Sequence, residues 1–112
     1  MKNLASELYR KSHGNCAQAV AMAWHSKTSQ GANLSKELVR CGRGQAPAGL
    51  CGALYALHRI AGPENAEHLT GSFAKASGGH TTCKDIRAAK TMPCIECVEV
   101  AASLLDKHSQ NS

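Results

Sequence analysis

Cysteine is the residue type through which this chain could do chemistry. Six occur, at positions 16, 41, 51, 83, 94 and 97, and four of them stand where a helix should begin. Cys16 follows Asn15, a good N-cap residue, and Gln18 is spaced to reach back and close a capping box. Cys51 follows Gly49 where apolar periodicity resumes, Cys83 follows Thr82 in the capping pattern Thr82-x-x-Asp85, and Cys94 follows Pro93. The first turn of a helix carries about half a positive charge and several unpaired N–H groups. A thiol placed there ionises more readily, with a pKa of about 3.5 to 7.5. The thiolate is the form that attacks a disulfide and the form that binds a metal. Inert cysteines, packed as small apolar groups, could lie anywhere on a buried face; four at helix starts point to a joint site.

Cys94-Ile95-Glu96-Cys97 is a C-x-x-C at a helix start. Its two sulfurs share a face, as dithiol redox pairs and metal knuckles both require. A second C-x-x-C, the mark of many zinc ribbons, is absent, as are the ferredoxin spacings. Val98 follows Cys97, which removes the C-x-x-C-H of covalent c-type haem. Cys41 precedes a glycine-rich loop, Gly42-Arg43-Gly44-Gln45-Ala46-Pro47-Ala48-Gly49, and is either a further ligand or a buried side chain. Glycines such as Gly42 and Gly44 let a main chain approach closely, so the loop is expected against the cysteines with N–H groups directed at sulfur; the rival reading is an ordinary turn. His80-x-x-Cys83 and the Cys51/His58 spacing offer nitrogen ligands, although each histidine reads more simply as a surface or satisfied core residue. No Ser–His–Asp order, phosphate loop or carboxylate pair is visible.

The elements that must position these thiols are helical. A helix is expected from Asn3 to about Lys11, and a second from Asn15 to near Ser26 that buries Val20, Ala23 and Trp24. Thr28 to Asn33 reads as turn, followed by a short piece over Ser35 to Arg40, with Gly42 as its left-handed terminator. Leu54, Leu57, His58 and Ala61 share a face, and Gly62-Pro63 ends that helix and opens the next, with its stripe Ala66, Leu69 and Phe73. Ser77-Gly78-Gly79 stops it, a short helix runs from Thr82 to about Lys90, and Pro93 starts the last. There Cys94, Cys97, Val98, Ala101, Leu104, Leu105 and His108 follow a 3–4 spacing.

At 112 residues the chain fits one domain with one modest core. Only four aromatics are present, Tyr9, Trp24, Tyr55 and Phe73, so the core is built from Ala, Leu, Val, Ile and Cys. Abundant alanine and sparse β-branched residues favour close-packed helices. The expected fold is all-α: a compact single-domain bundle of about five to six short helices. No signal-like apolar stretch opens the sequence, and the most apolar run, Ala17 to Trp24, is too short to span a bilayer. The expectation is a cytoplasmic protein without membrane association, where cysteine richness means metal or redox chemistry rather than a disulfide framework. The net charge is +5 and the pI about 9.0, but the positive residues form no run and no nucleic-acid motif accompanies them, which argues against nucleic-acid binding.

In order along the chain, four segments resemble the redox-active family named for its pattern C_GCAxxG_C_C, related to the cysteine-bearing part of split-Soret cytochromes c. They are Gly14-Asn15-Cys16-Ala17-Gln18-Ala19-Val20; Gly42-Arg43-Gly44 with Leu50-Cys51-Gly52-Ala53; Phe73, Gly78-Gly79 and Cys83-Lys84-Asp85-Ile86; and Cys94 with Val98-Glu99 and Ala101-Ala102. The likeness spans roughly Gly14 to Leu105. Ala56 stands where the family has a glycine, and Cys41 and Cys97 are additions to its four cysteines. The resemblance implies redox activity and iron–sulfur binding, with no substrate and no haem region.

Three functions compete. In the first, Cys16, Cys51, Cys83 and Cys94 hold an iron–sulfur or other metal centre for electron transfer to a redox partner protein, with Cys41 and Cys97 as alternates. In the second, a metal-free thiol–disulfide oxidoreductase or sensor, Cys94 and Cys97 attack and resolve. In the third, zinc stabilises a binding module without catalysis. A homodimer is among the assemblies allowed.

Overall fold

The computed structural model describes residues 2–11, 14–28, 34–39, 49–90 and 92–111. Among these, six helices and one isolated helical turn account for about 80% of the backbone: α1 (Lys2–Arg10), α2 (Cys16–Thr28), the turn α3 (Leu34–Glu37), α4 (Gly52–Ala61), α5 (Pro63–Ala76), α6 (Cys83–Ala89) and α7 (Cys94–Asn111). The all-α bundle expected from composition is the observed fold. Its radius of gyration is 12.2 Å, against about 13 Å for a folded chain of about 100 residues.

Packing follows the small side chains. Ala17, Ala19, Val20, Ala21 and Ala23 of α2 are all buried, on more than one face. A helix apolar most of the way round belongs in the middle, and α2 lies against α1, α3, α4 and α7. α7 is the second hub, against α1, α2, α4 and α5, and buries Cys97, Val98, Ala101, Ala102 and Leu105. α4 and α5 form a hairpin broken at Gly62, with Leu54, Leu57, Leu69 and Phe73 inside. Ion pairs such as Arg59–Glu37 at 3.0 Å lie at the surface and contribute at most about 1 kcal/mol each.

Local signals place the helix starts. Asn15 Oδ1 accepts from the Gln18 amide at 2.8 Å, and Gln18 Oε1 accepts from the Asn15 amide at 3.0 Å, which completes the capping box before Cys16. Gly14 makes room for it: a Cβ there would lie 2.8 Å from Gln18 Cβ and 2.9 Å from its Oε1. Thr82 Oγ1 accepts from the Asp85 amide at 3.2 Å and caps α6. Three expectations are corrected. α2 continues past Ser26 to Thr28, whose hydroxyl donates back to the Trp24 carbonyl at 2.8 Å and carries the helix a further half-turn. Trp24 is half-buried rather than core, because alanines fill the inward faces of α2. The piece expected over 35–40 is the single turn Leu34–Glu37, with Leu38 buried behind it. Cys41, Gly42 and Gly44 lie outside the described residues, and with them the loop expected against the thiols.

Candidate thiol site

Cys16, the first residue of α2, Cys51, the N-cap of α4, and Cys83, the first residue of α6, line one small cavity together with Cys97 in the second turn of α7. Gly52, Ile86, Arg87 and Met92 complete the wall. Sulfur and hydrocarbon therefore make up the lining, apart from the Arg87 side chain. The cavity offers about 10 Å3 to a water-sized sphere, roughly the room one water needs. All four cysteines are thiols rather than halves of disulfides.

They are also largely shielded from solvent, with 7% of Cys16, 5% of Cys51, 9% of Cys83 and 2% of Cys97 exposed. Two strand-like contacts hold the mouth together: the Cys51 amide donates to the Thr81 carbonyl at 2.9 Å, and Leu50 pairs antiparallel with Thr82. The start of α4 is thus stitched to the start of α6, which brings Cys51 and Cys83 to the same wall. On the opposite side, Asn15 Nδ2 donates to the carbonyls of Leu38 and Val39, each at 3.0 Å, and ties the start of α2 to the chain after α3.

The electrostatics single out Cys51. Its pKa is lowered to about 7, first because the Cys97 thiol hydrogen-bonds its sulfur. Burial opposes this by penalising the thiolate, and the amides of Leu54 and Ala53 in the first turn of α4 lower the pKa further. The neutral thiol makes no capping hydrogen bond to that turn; the amides act on the anion, as the positive end of a helix does. A buried thiol without such partners would shift upward instead.

Of the cysteines expected at a joint site, the structure brings Cys16, Cys51 and Cys83, at their helix starts, together with Cys97, expected as an alternate ligand and as half of the C-x-x-C pair. Cys94 opens α7 as expected, although its side chain lies outside the described atoms. The Cys51–Cys97 contact joins two helices distant in sequence, and no local pattern announces it; nor did any signal mark Met92, which shares the wall. The histidines stand elsewhere. His58 turns toward α5, its Nε2 2.5 Å from Thr70 Oγ1, and burial lowers its pKa. Neither it nor His80 lines the cavity. Among the described residues no three His, Cys, Asp or Glu groups are arranged to enclose a metal ion, and no helix is long and apolar enough to cross a membrane.

Compared with family models, with curated proteins and with solved structures, the chain finds no match in any of the three.

Proposed function

We propose that this chain is a redox-active thiol protein whose working pair is Cys51 and Cys97. The observation that carries the reading is the hydrogen bond from Cys97, the first cause of the Cys51 pKa of about 7. A thiol of that pKa is close to the optimum for exchange at neutral pH, because it combines a large thiolate fraction with good nucleophilicity. In the step envisaged, the Cys51 thiolate attacks one sulfur of an external disulfide and expels the other as a thiolate. Cys97 then passes its proton to the first expelled thiolate and attacks the Cys51 sulfur, which expels the second external thiolate. The external disulfide gains two electrons, and the pair closes as an intramolecular disulfide until a dithiol partner reverses the exchange. Cys51 takes the attacking role that spacing alone assigned within Cys94-x-x-Cys97. Redox activity is also what the family resemblance implies.

A second reading, a metal or iron–sulfur centre, is favoured by the lining of four thiols. Cys16, Cys51, Cys83 and Cys97 would hold it, and bound iron would supply one-electron transfer in place of thiol exchange. The donor chemistry fits thiophilic iron or zinc, but a cavity of about 10 Å3 is smaller than any cluster, so loading would have to part the walls.

One experiment separates the readings. Protein purified without oxygen is assayed for iron, sulfide and zinc, then treated with one equivalent of a neutral disulfide reagent, alkylated and peptide-mapped. The dithiol reading expects no stoichiometric metal and a Cys51–Cys97 disulfide that is lost in Cys51→Ser and in Cys97→Ser. Brown protein with iron and sulfide establishes the second reading, colourless protein with zinc a structural metal module. Closure of a different pair removes the role given to Cys51 and Cys97.

A further inference from the structure

The cavity is too narrow to admit a disulfide and Cys51 is only 5% exposed, which raises the question of how any disulfide reaches its sulfur. The weakest part of the wall is α6. Only Cys83 and Ile86 of this helix are buried, both line the cavity, and the other five residues are exposed. The segment before it turns through Gly78 and Gly79, at φ 76 and 96, a left-handed path open to glycine at little cost. That turn is anchored at one end by Ser77, which is wholly buried and donates to the carbonyls of Ala74 and His80. At the far end Lys90 caps α6 in the left-handed region, at φ 56, where a side chain costs about 1 to 2 kcal/mol. A short helix that buries two side chains, tied at its start by the Cys51–Thr81 and Leu50–Thr82 contacts and ending in a strained cap, is the part of the wall whose far end opens at lowest cost.

Its outer surface is cationic. Lys84, Arg87 and Lys90 are exposed, against the one acid Asp85, and Arg87 reaches the cavity itself. We propose that α6 is the movable cover of the thiol cavity and that its cationic face selects an anionic disulfide as the substrate, a class that covers carboxylate-bearing small disulfides. The inference rests on the dithiol reading above. Attraction raises the local concentration of an anion at the cover and with it the encounter rate, an effect that salt screens. Opening then exposes Cys51, whose exchange proceeds as written.

The test uses the full chain, reduced and free of oxygen, and follows the rate of Cys51–Cys97 closure with three probes: a dicarboxylate aromatic disulfide, neutral dithiodipyridine and cationic cystamine. For the Lys84→Gln/Lys90→Gln double variant, the anionic-to-neutral rate ratio is expected to fall about 10-fold at low salt, with the neutral rate unchanged. Salt near 0.5 M, where the screening length is only about 4 Å, should lower the wild-type ratio to the variant's value. Ile86→Ala, which trims one of the two side chains that α6 buries, is expected to raise the neutral rate several-fold while circular dichroism shows the helices intact. If the double variant keeps the wild-type ratio, selection by charge is overturned; if Ile86→Ala leaves the neutral rate unchanged with the helices intact, α6 is not the cover. In either case closure of Cys51–Cys97 by the neutral probe leaves the dithiol reading standing. Failure of that probe to close the pair in the wild type overturns the dithiol reading, and this inference with it.

Discussion

A thiol with a pKa of about 7 is half ionised at neutral pH, whereas one at the ordinary 9.0 is ionised to about one part in a hundred. At Cys51 the difference is made chiefly by one neighbour. Replacing Cys97 by Ala removes the donor and leaves burial opposed only by the Leu54 and Ala53 amides. The pH midpoint for alkylation of Cys51, resolved by mass spectrometry, should then move upward, while Cys97→Ser, which keeps a donor, should move it less. An unmoved midpoint in Cys97→Ala would show that Cys97 does not set the acidity of Cys51. The helix-start positions of Cys16, Cys51 and Cys83 were legible in the sequence because caps are local: Asn15 with Gln18 and Thr82 with Asp85 are read within four residues. The Cys51–Cys97 contact was not legible, since it depends on how α4 and α7 dock. Cys97 was singled out only through its spacing to Cys94, the one partner a C-x-x-C makes visible in sequence.

At the scale of the elements, caps do more than end helices. Asn15 closes the box at the start of α2 and also holds the carbonyls of Leu38 and Val39. Loss of the cap costs about 1 kcal/mol, and loss of the two further bonds about 1 kcal/mol more. Asn15→Ala should therefore lower Tm by roughly 10 °C. Asn15→Asp, which keeps the capping oxygen and loses only the Nδ2 bonds, should lie between the two in a thermal melt monitored by circular dichroism. An Asp variant as unstable as the Ala variant would mean that the cap contributes little beside the long-range bonds. The box itself was readable from Asn15 and Gln18. Its second task was not, because Leu38 and Val39 are remote in sequence, and for the same reason the glycine run before α4 suggested a contact with the thiols that no described residue tests. The overrun of α2 to Thr28 has a similar origin: a hydroxyl bonded back to the Trp24 carbonyl sustains a helix where composition alone suggests a turn.

Across the whole molecule, the acidity of Cys51 becomes a term in stability. Its folded pKa, about 7, lies below the ordinary value of 9.0, so the unfolded chain holds the proton more tightly. The contribution is fully present above about pH 9 and is lost as pH falls through about 7. Under reducing conditions, unfolding by urea should thus require more denaturant at pH 9 than at pH 6, by an amount on the order of 2 kcal/mol, and Cys51→Ser should remove that difference. Equal slopes in both proteins would place the titrating group elsewhere. The all-α class followed from alanine abundance and scarce aromatics, which leave no other way to fill a core; the meeting of four helices on one cavity follows from tertiary packing alone. The pairing of Leu50 with Thr82 joins the two ends of the α4–α5 hairpin, so during synthesis that hairpin can close before α7 has emerged. Cys51 is then without its chief acidifying neighbour, and its pKa in such a chain lies nearer the ordinary 9.0. Docking of the last helix supplies Cys97 and with it the largest of the contributions that lower the Cys51 pKa.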